Sequence, residues 1–535
     1  MRDETRFVII GAGPTGLGAA TRLEAQGERE FVILEAFDTP GGLAASFRDT
    51  SGFTWDLGSH LHYSHYQQVD RCWDAALGPE QWLHHQRSTW VWIADRFVPY
   101  PLQLNLHRLP DPARKECIRG LLVAAENPVG ERLDFRAWIL ATFGQGIAAH
   151  FLLPYNAKLW AHPLEQMSSQ WIAQRVAVPD IADILRRVER EEDSNQWGPN
   201  ATFRYPRRGG SGAVWKAVAD MLPPGAIRYN EGVVGINADR RIVCTAKGSE
   251  FCYDYLISSM PLDRLAGTLE SGGDIGSVIV SRRHRQRGPL APRVGSHLAE
   301  RDGYFETSCQ LDTVSRAKTL TATATHVIGI GLEGQPPEVV QGKLWIYYPE
   351  PSVPFYRVTI MSNLSPENTP RPGETWSLMA EVSESAFRSL PTQTPGGIPE
   401  PEPLSEQRPT YIGRFPDGES VQNVIEGLRS VGLVRRDDRI VSRWHRRLSH
   451  GYPVPTRDRD EILDQTLPAL RDLGIYSRGR FGAWKYEVGN QDHAFMQGVE
   501  AVEQILHGHR ELTLAEPDLV NSRYNPFPYP EWQPS

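Results

Sequence analysis

The sequence is poor in cysteine. Five cysteines occur in 535 residues, and no two of them form a Cys-x-x-Cys pair. This scattered placement excludes a disulfide scaffold and is unlike the spacing of zinc ligands. We therefore expect reduced, mostly buried thiols and no metal site. The cysteines are Cys72, Cys117, Cys244, Cys252 and Cys309.

The sequence also lacks an excess of basic charge and long apolar runs. It has 57 basic and 65 acidic residues, a net charge of −8, so no general basic surface attracts nucleic acid or anionic membranes. No continuous apolar run approaches the roughly 20 residues that cross a bilayer. The first residues, MRDETR, show no apolar signal-peptide region. We expect a large, globular, cytoplasmic protein without nucleic-acid or membrane partners.

What the chain does have is a glycine-rich turn after a short apolar run. Phe7–Ile10 is followed by Gly11, Gly13 and Gly16 in the string FVIIGAGPTG. The pattern predicts a buried parallel strand that turns into a helix. Its glycines allow a tight turn, the approach of a pyrophosphate and close packing of the helix on its strand. The helix N-terminus supplies N–H donors for a dinucleotide.

The following segment favours FAD over nicotinamide. A second apolar run, Phe31–Leu34, ends in Glu35, where an acceptor for ribose hydroxyls is expected. The pair Gly41-Gly42 behind Pro40 lets backbone approach a second phosphate-bearing face. This arrangement resembles the FAD-binding half of the glutathione-reductase and amine-oxidase type flavoproteins.

The middle of the chain has a different character. Histidines 60, 62 and 65 lie among aromatic residues with no acidic or cysteine partner close in sequence, which favours an active-site loop over a metal site. Helical signals begin at Asp111 and Asp134, and Ser168 or Ser169 is a candidate cap of a further helix. Residues 270–308 and 388–410 have the composition of exposed, flexible insertions.

Several long strings identify a family. They are collinear and uncommon, and they span nearly the whole chain: GAGPTGLGAA, TPGGLA, LPYNAKLWA, WGPNATFRYP, THVIGIGL, PFYRVTIMSN, HGYPVPT and GRFGAWKYEVGNQDH. With them the chain resembles the flavin-dependent UDP-galactopyranose mutases, in particular the longer eukaryotic type.

The resemblance implies an α/β fold with mixed insertions, built from three parts. A discontinuous, Rossmann-like FAD-binding domain would comprise residues 1–80, 205–268 and 440–515. A helical insertion domain would comprise residues 104–200. An antiparallel β-sheet domain would comprise residues 81–103 and 309–439.

The resemblance also implies roles for individual residues. The catalytic residues would be Arg357, Arg175 and His60, with His60 against the isoalloxazine. The remaining FAD contacts would be Gly11, Gly13, Thr15, Gly16, Glu35, Gly42, Leu43, Val233, Gly489, Asn490 and Gln491. The substrate would be bound by Tyr100, Gln103, Phe151, Asn156, Trp160, Arg175, Asn200, Trp345, Tyr347, Arg357, Tyr452, Arg480 and Tyr486.

Charge chemistry supports the arginines independently. Arg357 in PFYRVTI and Arg480 in YSRGRFG lie in apolar, aromatic surroundings, where a guanidinium needs a paired anion. An internal salt bridge to Asp or Glu is the alternative to a bound diphosphate. Trp160, Trp345 and Tyr347 are equally compatible with core packing.

The implied activity interconverts UDP-galactopyranose and UDP-galactofuranose through attack of reduced-flavin N5 on the anomeric carbon, with NADPH or NADH as reductant. The partner is a UDP-sugar, and a homo-oligomer is left open. The chain departs from the family at Ser59, which replaces a glycine, and at Leu102 and Leu104 beside the expected uracil pocket. Two alternatives remain: an amine-oxidase-like FAD oxidoreductase, and a catalytically impaired flavoprotein that binds sugar nucleotides.

Overall fold

The computed structural model describes residues 2–126, 133–172, 176, 178, 180–194, 201–270, 309–388, 412–413 and 418–529. Almost all of the two predicted insertions, 270–308 and 388–410, lies outside these residues. Arg175 and Asn200 lie outside them too, so their predicted roles stay predictions.

The β-strands of the described residues form three larger sheets and two two-stranded sheets. They are β1 Arg2–Glu4, β2 Phe7–Ile10, β3 Phe31–Leu34, β4 Ser46–Arg48, β5 Thr54–Asp56, β6 Trp82–Gln86, β7 Thr89–Ile93, β8 Arg96–Pro99, β9 Thr202–Pro206, β10 Ile227–Arg228, β11 Val233–Asn237, β12 Ile242–Thr245, β13 Glu250–Cys252, β14 Tyr255–Ser258, β15 Leu269–Glu270, β16 Ala322–Glu333, β17 Trp345–Tyr347, β18 Arg357–Thr359, β19 Thr375–Glu384, β20 Ile412–Gly413, β21 Ile440–Pro453 and β22 Ile475–Ser477.

The helices join and cover these strands. They are α1 Pro14–Ala25, α2 Gln67–Leu77, α3 Asp111–Glu126, α4 Phe135–Ile147, a π-helical turn Ala148–Leu152, α5 Leu153–Trp160, α6 Ile181–Arg190, α7 Gly212–Asp220, α8 Leu262–Thr268, α9 Met361–Leu364, α10 Gly418–Ser430, α11 Arg459–Asp472, α12 Gln491–His507, α13 Leu512–Ala515 and α14 Pro517–Ser522.

A five-stranded parallel sheet forms the centre of the first domain, in the order β10-β3-β2-β14-β22. Its central strand, Phe7–Ile10, is buried on both faces: Phe7 and Ile9 join one apolar cluster, and Val8 and Ile10 join another. Continuous apolar runs are typical of parallel strands covered on both sides. The predicted Rossmann-like unit is therefore confirmed. A second sheet, β1-β13-β12-β11-β15, lies in the same part of the chain.

An eight-stranded sheet has the order β20-β21-β16-β19-β18-β17-β7-β8 and is antiparallel except between β17 and β7. Two glycines of β16 allow it to pack on the first domain. A Cβ on Gly329 would lie 2.5 Å from the ring of Trp55, and one on Gly331 would lie 2.7 Å from that of Phe53. The strand Ile440–Pro453 pairs within this sheet, whereas residues 440–453 were predicted in the FAD-binding domain. By its strand pairing, this segment is part of the eight-stranded sheet.

The helical part contains α3 to α6, within the predicted residues 104–200. Asp134 caps α4 as expected, since its carboxylate accepts the N–H of Ala137 at 2.8 Å. The helix predicted to begin at Ser168 or Ser169 is wrong. Ser168 N–H donates to Pro455 O at 2.8 Å, and Ser169 Oγ donates to Leu133 O at 2.6 Å. These bonds hold the segment in a non-helical course.

One helical stretch, Phe135–Trp160, is long and apolar enough to cross a membrane by length and composition alone. Its buried residues, among them Ile139, Phe143 and Phe151, belong to the apolar core of the helical part. Core helices of globular proteins share these properties, so the stretch is weak support for a membrane segment.

Candidate active site

A cavity of about 380 Å³ lies where the parallel sheet meets the eight-stranded sheet. The first glycine turn and the start of α12 line one end, and side chains of the large sheet line the other. Most predicted FAD contacts line it: Gly11, Gly13, Thr15, Glu35, Gly42, Leu43, His60, Val233, Gly489, Asn490 and Gln491. Gly16 does not line the cavity. A Cβ there would lie 1.9 Å from Gly11 O, so Gly16 permits close packing of α1 on its strand.

The dinucleotide end fits FAD. Gly42 has φ +53°, and a Cβ placed on it would lie 3.3 Å from the Cα of Gly13. Two backbone segments therefore border a groove where side chains would collide, and the N-terminus of α1 offers N–H donors to phosphate. The Glu35 carboxylate accepts the N–H of Ala12 at 2.7 Å and that of Phe37 at 2.9 Å, while burial raises its pKa. These donors fix the orientation of the carboxylate.

His60 lies on the loop that faces the cavity. Burial, together with the positive charges of Arg480 and Arg357, lowers its pKa to about 3. The imidazole is therefore neutral near pH 7. It offers a polar ring to the cavity without adding to the positive charge of the two arginines.

Arg357 is held by an ion pair inside the cavity. Its Nε donates to one carboxylate oxygen of Glu381, and its Nη2 donates to the other at 2.7 Å. Glu381 also accepts from Tyr356 OH at 3.3 Å. The internal salt bridge considered from the sequence is present, and it leaves Nη1 outside the pair. The arrangement fixes the plane of the guanidinium beside the cavity.

Arg480 is held by hydrogen bonds to backbone carbonyls and by contacts with two aromatic rings. Its Nη1 donates to Gly489 O at 3.3 Å and its Nη2 to Gly451 O at 3.2 Å. The guanidinium carbon lies 5.2 Å from the ring centres of both Tyr452 and Tyr486. Cation–π contact of this kind stabilises a partly desolvated charge. Arg357, Arg480, Tyr452 and Tyr486 all line the cavity.

The predicted sugar and uridine contacts divide into two groups. Trp345 and Tyr347 line the cavity with the arginines. The others in the described part of the chain do not line the cavity: Tyr100, Phe151 and Trp160 pack in the apolar core of the helical part, and Gln103 and Asn156 are buried. The ring of Tyr100 meets Tyr347 edge-on at 5.2 Å. The structure therefore brings the first group to the cavity and does not bring the second group to it.

Similar proteins agree with this geometry. The family model for flavin containing amine oxidoreductase matches residues 14–273, slightly less than half of the chain. A crystal structure of reduced UDP-galactopyranose mutase is 38% identical in sequence, with a TM-score of 0.83 and 98% of each chain covered. The chain belongs to the UDP-galactopyranose mutase family. Its α/β fold with a flavin-type domain is the fold predicted from the sequence.

The curated relatives match this chain over only part of its length. A hydroxyneurosporene desaturase of Rhodobacter capsulatus is 30% identical over 258 residues, which are 47% of this chain and 50% of the desaturase. A Baeyer-Villiger monooxygenase of Streptomyces coelicolor is 34% identical over 99 residues, 18% of either chain. The chain thus spans half or less of the length of these curated relatives.

Sequence reasoning missed some charged residues that line the cavity, among them Glu381 and Arg87. Glu381, the partner of Arg357, stands in strand β19, which is buried from Thr375 to Ser383, and a charge among buried residues is the available signal. Arg87 is nearly buried, and its guanidinium carbon lies 5.1 Å from the ring centre of Tyr100 and 5.7 Å from that of Trp345. Arg87 follows a short polar stretch of the sequence, where a charged residue does not stand out, so the sequence did not indicate it as a cavity residue.

The buried side chain of His62 makes the free energy of unfolding depend on pH. Burial lowers its pKa to about 3, so between that value and the ordinary 6.5 the unfolded chain binds more protons than the folded protein. Stability therefore falls as the pH drops through 6.5. Replacing His62 with Phe should reduce the loss of unfolding free energy between pH 7.5 and 5 by up to about 2 kcal/mol.

Urea unfolding at the two pH values measures this effect. His84→Phe, which changes an exposed histidine, is the matched control. Equal acid sensitivity of His62→Phe and the native chain would contradict the assignment.

Proposed function

We propose that this chain catalyses the interconversion of UDP-galactopyranose and UDP-galactofuranose with bound FAD. The observation that carries the proposal is the composition of one cavity. Its first end has the backbone groove and the Glu35 carboxylate suited to FAD, and its other end presents Arg357, Arg480, Tyr452 and Tyr486. Similarity to a mutase over 98% of both chains supports the same function.

FAD would be held by the glycine turn, Glu35, the Gly42 segment and the N-terminus of α12. When bound and reduced, the flavin supplies the nucleophile, N5, for the anomeric carbon, so the ring can change size without net oxidation. NADPH or NADH is the proposed reductant. The location proposed for the protein is cytoplasmic, and a homo-oligomer remains open.

The main contribution of the protein itself to the reaction would be stabilisation of the negative charge on the diphosphate. The guanidinium groups of Arg357 and Arg480, with Arg175 by resemblance, would bind the diphosphate as negative charge develops on it and retain it for return to the sugar. A well-placed donor of this kind contributes about 3 to 4 kcal/mol. Tyr452 and Tyr486 surround the charge and exclude water. The neutral His60 would face the flavin.

The uridine and sugar would be bound by the remaining predicted residues, which are Tyr100, Gln103, Phe151, Asn156, Trp160, Asn200, Trp345 and Tyr347. Leu102 and Leu104, the two departures from the family, are buried in the core of the helical part. They would affect base recognition through packing. An aromatic ring at position 102 would have to be accommodated in that core.

The test is conversion of UDP-galactofuranose by dithionite-reduced holoenzyme, followed by chromatographic separation of the two nucleotide sugars. We expect UDP-galactopyranose to accumulate with reduced protein and not with oxidised protein. Flavin binding without conversion would instead favour the impaired sugar-nucleotide-binding flavoprotein. Substrate-dependent flavin reduction with oxygen consumption would favour an amine-oxidase-like oxidoreductase.

A further inference from the structure

The loop that carries His60 is held firmly at both ends. On one side, the Asp56 carboxylate accepts hydrogen bonds from Ser46 Oγ at 2.6 Å, Tyr205 OH at 2.8 Å and Ser211 N–H at 3.0 Å. On the other side, His62 exchanges two backbone hydrogen bonds with Arg204, at 3.1 and 2.8 Å. The segment between these anchors, residues 57–61, lines the cavity throughout.

Ser59 ties the middle of this segment to the large sheet. Its Oγ accepts a hydrogen bond from the indole N–H of Trp345. Trp345 is itself fixed, because its backbone pairs with strands on both sides and its ring stacks on Phe203 at 5.8 Å. Ser59 and Trp345 both line the cavity, so their bond is part of its wall.

The same segment also passes close to the group that holds Arg357. At Gly58, where φ is +154°, a Cβ would lie 3.4 Å from the His60 ring and 3.6 Å from a carboxylate oxygen of Glu381. A change in the backbone conformation of this segment would therefore affect both His60 and the Arg357–Glu381 pair.

We propose that Ser59 is a positioning residue whose hydroxyl latches the His60 loop to Trp345 and so fixes the cavity wall. A glycine at this position has no hydroxyl and cannot make the bond. The latch itself is a property of the structure, while its kinetic consequence rests on the proposed mutase function. The Ser59–Trp345 bond keeps residues 57–61 ordered before substrate binds. Binding then does not include the entropic cost of ordering them.

Hydrogen exchange of FAD-loaded protein tests the latch without reference to activity. In Ser59→Ala, the amides of residues 57–61 should exchange about fivefold faster, the ratio that corresponds to a hydrogen bond of about 1 kcal/mol. Ser59→Thr retains the hydroxyl and should exchange as the native chain does. Trp345→Phe should match Ser59→Ala, and the double variant should show no further increase.

Steady-state kinetics tests the consequence for substrate. In Ser59→Ala the KM for UDP-galactopyranose should rise about fivefold, with kcat within twofold, because an unlatched wall must be ordered on binding. The thermal midpoint should stay near that of the native protein. Thr50→Val, which removes an exposed hydroxyl elsewhere in the same domain, is the control and should alter neither readout.

The outcomes separate the latch from the proposed function. Native-like exchange in Ser59→Ala, or additive effects of the Ser59 and Trp345 substitutions, would overturn the latch. Coupled exchange effects in a protein without mutase activity would uphold the latch and reject the proposed function. Faster exchange with unchanged KM would reject the ordering of the sugar site by Ser59.

Discussion

Arg357→Ala should lower the kcat of the mutase reaction by about 10²- to 10³-fold while FAD remains bound. Arg357 lines the cavity and is oriented by Glu381. Loss of a preorganised donor that stabilises developing charge has effects of this size. The measurement is kcat for UDP-galactofuranose with reduced enzyme, alongside the flavin absorbance of the purified protein.

The substitution also leaves Glu381 buried without its ion-pair partner, which by itself can destabilise the fold. The double variant Arg357→Ala/Glu381→Gln removes that charge and should stay folded but remain slow. Arg371→Ala, which removes an exposed arginine paired with Glu333, is the matched control and should turn over normally. A normal rate in Arg357→Ala would remove this arginine from the mechanism.

Arg459→Ala should reduce the free energy of unfolding by about 3 to 5 kcal/mol. Arg459 is 1% exposed, and its Nη1 and Nη2 each donate to the Glu487 carboxylate at 2.9 Å. Removal of one partner leaves an uncompensated buried charge, which has a cost of this size. Glu487 follows Tyr486 and precedes the Gly489–Gln491 turn, so FAD affinity should fall as well.

Denaturant unfolding and flavin titration measure these two effects. The control is Arg457→Ala, an exposed arginine two positions earlier in the chain. Charge loss at that position should change stability by no more than about 0.5 kcal/mol. A native-like stability of Arg459→Ala would show that the Arg459–Glu487 pair is not required by the fold.

The local part of this architecture was predictable from the sequence. The strand Phe7–Ile10, its glycine turn and Glu35 are set by apolar periodicity and by the backbone freedom of glycine, which act over a few residues. The same holds for the Asp134 cap. Ile10, the glycine turn and Glu35 line the cavity at its proposed FAD end, and they lie where the sequence patterns place them.

The rest depends on contacts between distant parts of the chain. The pairing of Arg357 with Glu381 is made by two neighbouring strands, and neither residue carries a local signal of the other. The strand Ile440–Pro453 has a composition that suits either domain, so only its pairing with β16 assigns it. The segment at Ser168 has good capping residues for a helix, but its bonds to Pro455 and Leu133 prevail. Local propensity yields to tertiary contacts in such places.

The most direct test of the account is a crystal structure of the FAD-loaded protein soaked with UDP. We predict that the flavin follows the Gly13–Gly42 groove and that the diphosphate lies within hydrogen-bond distance of both Arg357 and Arg480. A diphosphate bound elsewhere, with Arg357 still engaged only by Glu381, would contradict the central claim that one cavity joins the cofactor to the nucleotide sugar.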